Sequence, residues 1–200
     1  MITPLDPVIA EIIPKLPLRD PETMTPQSAR DALRALAAAR AAVPPPPVAS
    51  AADAVVKGPA GSLAARVYRM SDAKAPTVVF FHGGGWVAGD LETHDRQARL
   101  LAIETGAVVV SVDYRRPPEM RFPAAFEDAF AAVRDVFARV AEFGGDSARV
   151  GVAGDSAGGN LAATVAIACR DAGIGLAAQL LAYPVTDVAG GFADATENAR

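Results

Sequence analysis

The 200 residues predict an α/β protein: a mainly parallel sheet with helices on both faces. Three observations carry that expectation. Short apolar runs alternate with helical stretches through most of the chain. Gly154-Asp155-Ser156-Ala157-Gly158 sits between the apolar run Arg149 to Ala153 and a long Ala-rich stretch. His82-Gly83-Gly84-Gly85-Trp86 follows directly on Thr77-Val78-Val79-Phe80-Phe81. In an open α/β sheet, ligands gather at the carboxyl ends of the strands, and both glycine motifs fall at such ends.

In chain order, residues 1–43 read as an N-terminal helical cap element. Its second helix has Thr25 as N-cap and Pro26 at the first helical position, with Ala29, Leu33, Leu36 and Ala37 on the apolar stripe. Pro44 to Pro47 then enforce an extended spacer within a linker of residues 44–50. Residues 51–200 form the core. It opens with two alternating strands, Asp53 to Lys57 and Ser62 to Tyr68, parted by Gly58-Pro59-Ala60-Gly61 and expected to pair as a hairpin. Strand Thr77 to Phe81 leads to a helix from Thr93 to Glu104. Ala107 to Val112 is as apolar as a doubly covered central strand should be. A helix from Pro123 to Glu142, the strand Arg149 to Ala153, a helix from Ala157 to Ala172 and the strand Ala177 to Tyr183 complete the alternation.

Composition narrows the function classes. Half the residues are apolar, a fifth are charged, and the net charge is -4. No apolar run approaches the roughly 18 residues that span a bilayer, and the first residues carry no basic region or signal-like segment, so the cytoplasm is the default location. An acidic chain without a basic stripe argues against nucleic acid as a partner. Cys169 is the only cysteine and shares a helical stripe with Leu161 and Val165, which fits a small buried hydrophobe. His82 and His94 form no ligand spacing with carboxylates, so no metal and no cofactor are expected.

The pentapeptide is a nucleophile elbow: Ser156 tops a sharp strand-to-helix turn, and Gly154 and Gly158 let the backbones pass closely, with Asp155 between. The upstream glycines leave bare amides that can face a developing negative charge. Gly83 and Gly84, with Ala157 at the following helix N-terminus, are therefore the expected oxyanion donors. His82, Gly85 and Trp86 complete the loop, the two rings as anchors. The elbow specifies acyl chemistry but not the leaving group, so peptidase and acyltransferase chemistry also fit.

With these residues the chain resembles the hormone-sensitive-lipase-like carboxylesterases of the α/β-hydrolase superfamily. The resemblance extends to Asp113-Tyr114-Arg115, Pro118-Glu119, Phe122-Pro123-Ala124-Ala125-Phe126-Glu127-Asp128 and Tyr183-Pro184-Val185-Thr186-Asp187. It implies an α/β-hydrolase fold and a serine carboxylic-ester hydrolase acting on short-chain acyl esters, small molecules, through an acyl-enzyme. Asp113, Glu119, Glu127 and Asp128 are read as structural charges that pin loops and a helix start. One departure matters: no histidine follows Ser156. Asp187 and Asp194 follow the wrong strand for the family's acid, and His94 is read as a surface or loop-packing residue, so the triad acid and base are not identifiable. The expectation is an N-terminal part of a longer esterase, its last strands missing and these residues alone inactive. The alternative is a hydrolase fold retained as a small-molecule-binding protein.

Overall fold

The computed structural model describes residues 6–12, 23–40 and 42–187. They fall into two compact units, one drawn from Met1–Thr25 and Thr186–Arg200, the other spanning Pro26–Val185. In the first, the described part holds one short helix, α1 (Pro7–Ile12), started by Asp6, whose carboxylate accepts from the Val8 amide at 2.8 Å. The expected polar connection from Ala193 to Arg200, with Asp194, lies outside the described residues.

The second unit begins with α2 (Pro26–Arg40), with proline at its first position. None of its residues is fully buried and Leu36 is 49% exposed, which corrects the expectation that Ala29, Leu33, Leu36 and Ala37 all face a core. Polar anchors orient this helix instead: Arg30 donates to the carbonyls of Val87 and Pro117, both at 2.9 Å, and to both carboxylate oxygens of Glu119. The proline tract after it is tied down by Arg96, which donates to Pro44 O at 3.1 Å, and by Arg99, which reaches Pro46 O.

Strands β1 (Ser50–Gly58) and β2 (Gly61–Arg69) form the expected antiparallel hairpin, with Gly58 opposite Gly61. β3 (Ala75–Phe81), β4 (Val108–Val112), β5 (Gly145–Asp155) and β6 (Ala178–Ala182) run parallel, in the sheet order β1-β2-β4-β3-β5-β6, with β2 antiparallel to β4. Every residue of β4 is buried, because its β-branched run lies at the centre of a sheet covered on both faces.

Side-chain alternation along the strands separates two cores. Val79, Phe81, Val108, Val110 and Val152 face α4 (Ala124–Ala138) and α5 (Ala157–Asp171), whose stripes Ala125, Ala129, Val133 and Leu161, Val165, Cys169 recur at helical spacing. Cys169 is the buried hydrophobe expected, and burial pushes its thiol pKa up. Phe80, Val109 and Tyr68 face α3 (Asp95–Thr105) on the other side.

Two boundaries differ from the sequence pattern. α4 ends at Ala138, not near Glu142, because the chain turns through Arg139 to Gly144 and the Gly145 amide returns to Val140 O at 2.9 Å. β5 starts at Gly145, before its apolar part, since Asp146, Ser147 and Arg149 are polar residues on a strand segment that is largely exposed. At the far edge, β6 is only partly covered, with Leu180 51% exposed.

Candidate active site

The parallel strands β3 and β5 are adjacent and end level, with Phe81 opposite Gly154, so the segments that follow them emerge side by side. After β5 the chain reverses at Ser156, which adopts φ 52°, ψ −117° and hands over to α5 at Ala157. That left-handed geometry costs a non-glycine residue about 1–3 kcal/mol and persists only where its surroundings enforce it. Here they do. The Ser156 amide donates to Ala182 O at 2.9 Å, and Ser156 O accepts from the amides of Asn160 at 3.1 Å and Val185 at 3.2 Å. Ser156 itself is half-buried, accessible at the top of the sheet.

Gly158 shows why the elbow uses glycine. A Cβ there would be driven into Phe81 O and would stand 2.6 Å from His82 O, so the first turn of α5 lies directly on the backbone leaving β3. Gly84 is fixed for a second reason: at φ 120° it occupies a region other residues avoid, and its carbonyl accepts from the amides of Val87 and Ala88.

The loop and the elbow are joined by one bond absent from the sequence expectation. The Gly83 amide donates to Asp155 Oδ1 at 2.9 Å. Gly83 is therefore corrected as an oxyanion donor, because its N–H already serves a carboxylate. The amides of Gly84 and Gly85 donate to no backbone acceptor among the described residues. Ala157, as the first residue of α5, has no intrahelical acceptor for its own amide.

His82 is fully buried. Its ring stacks on Tyr114 at 4.3 Å, its Nδ1 lies 2.9 Å from Gly83 O, and its backbone carbonyl accepts from the Tyr114 hydroxyl at 2.7 Å. Burial holds its pKa below the ordinary imidazole value, against the opposing pull of Asp113, whose Oδ1 is 3.8 Å from Nε2. A neutral, stacked imidazole of this kind anchors the loop. Trp86, at φ 61°, is half-buried and packs against the main core.

Of the two sequence readings of His94, surface or loop-packing, the structure excludes the first: it is buried, 6% exposed, with Nε2 3.6 Å from Asp155 Oδ2. Burial alone would raise the Asp155 carboxyl, yet His94 and the Gly83 amide hold it below the usual carboxylate range. The four landmark charges are structural as expected where they are paired: Asp128, wholly buried, accepts from the Arg115 side chain and amide, Glu119 pairs with Arg30, and Asp113 with Arg116. Glu127 lies in the first turn of α4. Asp187 belongs to the unit that holds the chain's two ends. Among the described residues no cluster of three or more histidine, cysteine or acidic side chains could hold a metal, and no helix is long and apolar enough to cross a membrane.

Residues 78–200 match the family model described as the alpha/beta hydrolase fold. Esterase LipI of Mycobacterium tuberculosis is 42% identical over 187 residues, an alignment covering 91% of this chain and 57% of that protein. Carboxylesterase NlhH of the same organism is 51% identical over 125 residues, covering 62% and 39%. A hyperthermophilic esterase from Pyrobaculum calidifontis superposes with a TM-score of 0.85 at 41% identity, covering 92% of this chain and 60% of that one. The chain thus spans less than two thirds of the length of the relatives it matches.

Proposed function

The chain belongs to the α/β-hydrolase fold family, in its hormone-sensitive-lipase-like group of esterases, and on that premise we propose that Ser156 is the nucleophile of a carboxylic-ester hydrolase. The observation that carries the reading is the enforced left-handed turn at Ser156, directly beside the glycine loop tied to Asp155. In the reaction, Ser156 Oγ bonds to the ester carbonyl carbon, and its proton passes to a base. The alcohol leaves with a proton, and water then cleaves the acyl-serine. The tetrahedral oxyanion accepts hydrogen bonds from Ala157, at the positive end of α5, and from Gly84, with Gly85 taking the place first given to Gly83. Short-chain acyl esters are the proposed substrates, and α2 is the proposed lid element. His82 is the wrong group for the base, since it is stacked, buried and engaged with Gly83 and Asp113.

A chimera tests this reading. Residues 1–187 are joined to the part of the Pyrobaculum calidifontis esterase that lies beyond the aligned segment. Turnover of a short-chain aryl ester, lost in Ser156→Ala, and a fluorophosphonate adduct on Ser156 are expected. A folded chimera with neither defeats the proposal and leaves the binding-protein alternative.

A further inference from the structure

We propose that His94 is a positioning residue for the oxyanion loop: its imidazole braces Asp155, and Asp155 in turn fixes the Gly83 amide and the two glycines after it. The proposal rests on the ester-hydrolase reading for its purpose, but its geometry stands apart from that reading.

His94 occupies the N-cap of α3, a position where a side chain normally accepts from the helix's own amides. It makes no such bond. A histidine there is a poor cap, so helix starting does not explain it. Its Nδ1 is 3.0 Å from Thr93 Oγ1, and Thr93 is locked to Asp90 by an exchange of bonds: the Asp90 amide donates to Thr93 Oγ1 and the Thr93 amide to Asp90 Oδ1, both at 2.8 Å. One edge of the ring is thereby set, and the other edge presents Nε2 to Asp155 Oδ2 at 3.6 Å. His82 closes the remaining side, with the ring centroids 5.3 Å apart.

Asp155 therefore divides its carboxylate between two partners, with Oδ2 toward His94 and Oδ1 accepting from Gly83. The side chain of the residue before the nucleophile thus carries the position of α3 to the loop. The carboxylate lies directly against the loop: a Cβ on Gly83 would stand 3.1 Å from Asp155 Cγ and would overlap Oδ2, so only glycine admits this contact. Without His94, Oδ2 faces a void beside a second histidine, the carboxylate is free to rotate, and Gly83 loses a fixed acceptor.

Amide hydrogen exchange at Gly83 in residues 1–200 reads this directly, without any ester. His94→Ala should speed exchange at Gly83 by about tenfold, the size expected for loosening a hydrogen bond to a charged acceptor, while the amides of β4 stay unchanged. His94→Gln keeps a donor on a side chain of similar reach and should stay within about threefold of the parent. In an Asp155→Asn background, His94→Ala should add nothing, because the link is already altered. If His94→Ala fails to fold, His94→Asn, too short to reach Asp155, takes its place. Unchanged exchange in both short variants, His94→Gln behaving like His94→Ala, or additive effects with Asp155→Asn would each overturn the proposal. The ester-hydrolase reading fails separately, through an unlabelled Ser156 in the chimera, and leaves these exchange results standing.

Discussion

Two parts of the molecule meet near the glycine loop that follows β3 and are built on opposite principles. On the Ser156 side, backbone lies on backbone: Gly158 rests against the carbonyls of Phe81 and His82, and the bonds that fix the turn are buried or half-buried. On the α2 side, no residue is fully buried, and the helix is held by arginines on carbonyls and carboxylates, with Glu119 59% exposed and Arg34 60% exposed. Contact through backbone leaves no slack for substitution, whereas surface ion pairs contribute little each and can be exchanged. The first side suits fixed chemistry. The second suits a lid whose sequence can change while the chemistry stays in place.

The largest effect should come from breaking the close contact. Gly158→Ala forces a methyl group into the Phe81 carbonyl and should destabilise the unit by about 3 kcal/mol or more, measured by urea unfolding. A loss below about 0.5 kcal/mol would mean that α5 can slide, and the contrast between the two sides would weaken.

An intermediate effect should appear with pH. His82 has a folded pKa below its ordinary value, so the unfolded chain binds its proton first. Stability should be complete above about pH 6.5 and fall with acidification by up to about 1.4 kcal/mol per pH unit, until the folded-state pKa is passed. Asp113 and Asp155, also depressed, add their own losses only at more acidic pH, as each carboxylate protonates. Urea midpoints between pH 7 and 5 for the parent and His82→Gln check this: the variant should show the flatter profile, and equal slopes would contradict the neutral-anchor role.

The smallest effect belongs to α2. Arg30→Ala removes the pairing with Glu119 and the bonds to Val87 and Pro117, yet should destabilise by only about 1 kcal/mol. That corresponds to a melting shift of about 2–4 °C. A shift above about 8 °C would show that α2 is a structural member of the core rather than an attached element.

The elbow and the glycine loop were legible because steric demands there admit few residues, and those residues are contiguous. The alternation of β4, β5 and α5 was legible for the same local reason: periodicity reports a face to be buried. What escaped were pairings across long stretches of chain. Gly83 and Gly84 look alike in sequence, and only Asp155, 72 residues further on, makes one of them a loop anchor. His94 carried one faint signal, a histidine at a helix N-cap where serine, threonine, asparagine or aspartate is preferred. The stripe of α2 misled because Arg30, with acceptors 57 and 87 residues away, sets the helix's rotation as much as its apolar residues do.

The central proposal is that Ser156 is a nucleophile flanked by oxyanion donors, and no histidine follows it in these residues to serve as its base. A serine hydroxyl without a base is a weak nucleophile, and loss of one triad member in another serine hydrolase lowers turnover by about 10⁴ to 10⁶. The most direct measurement is hydrolysis of a short-chain aryl ester by residues 1–200 beside the Ser156→Ala variant. The account predicts no steady turnover that depends on Ser156. Robust turnover that vanishes in the alanine variant would contradict it and move His82 or His94 from anchor and brace to catalytic base.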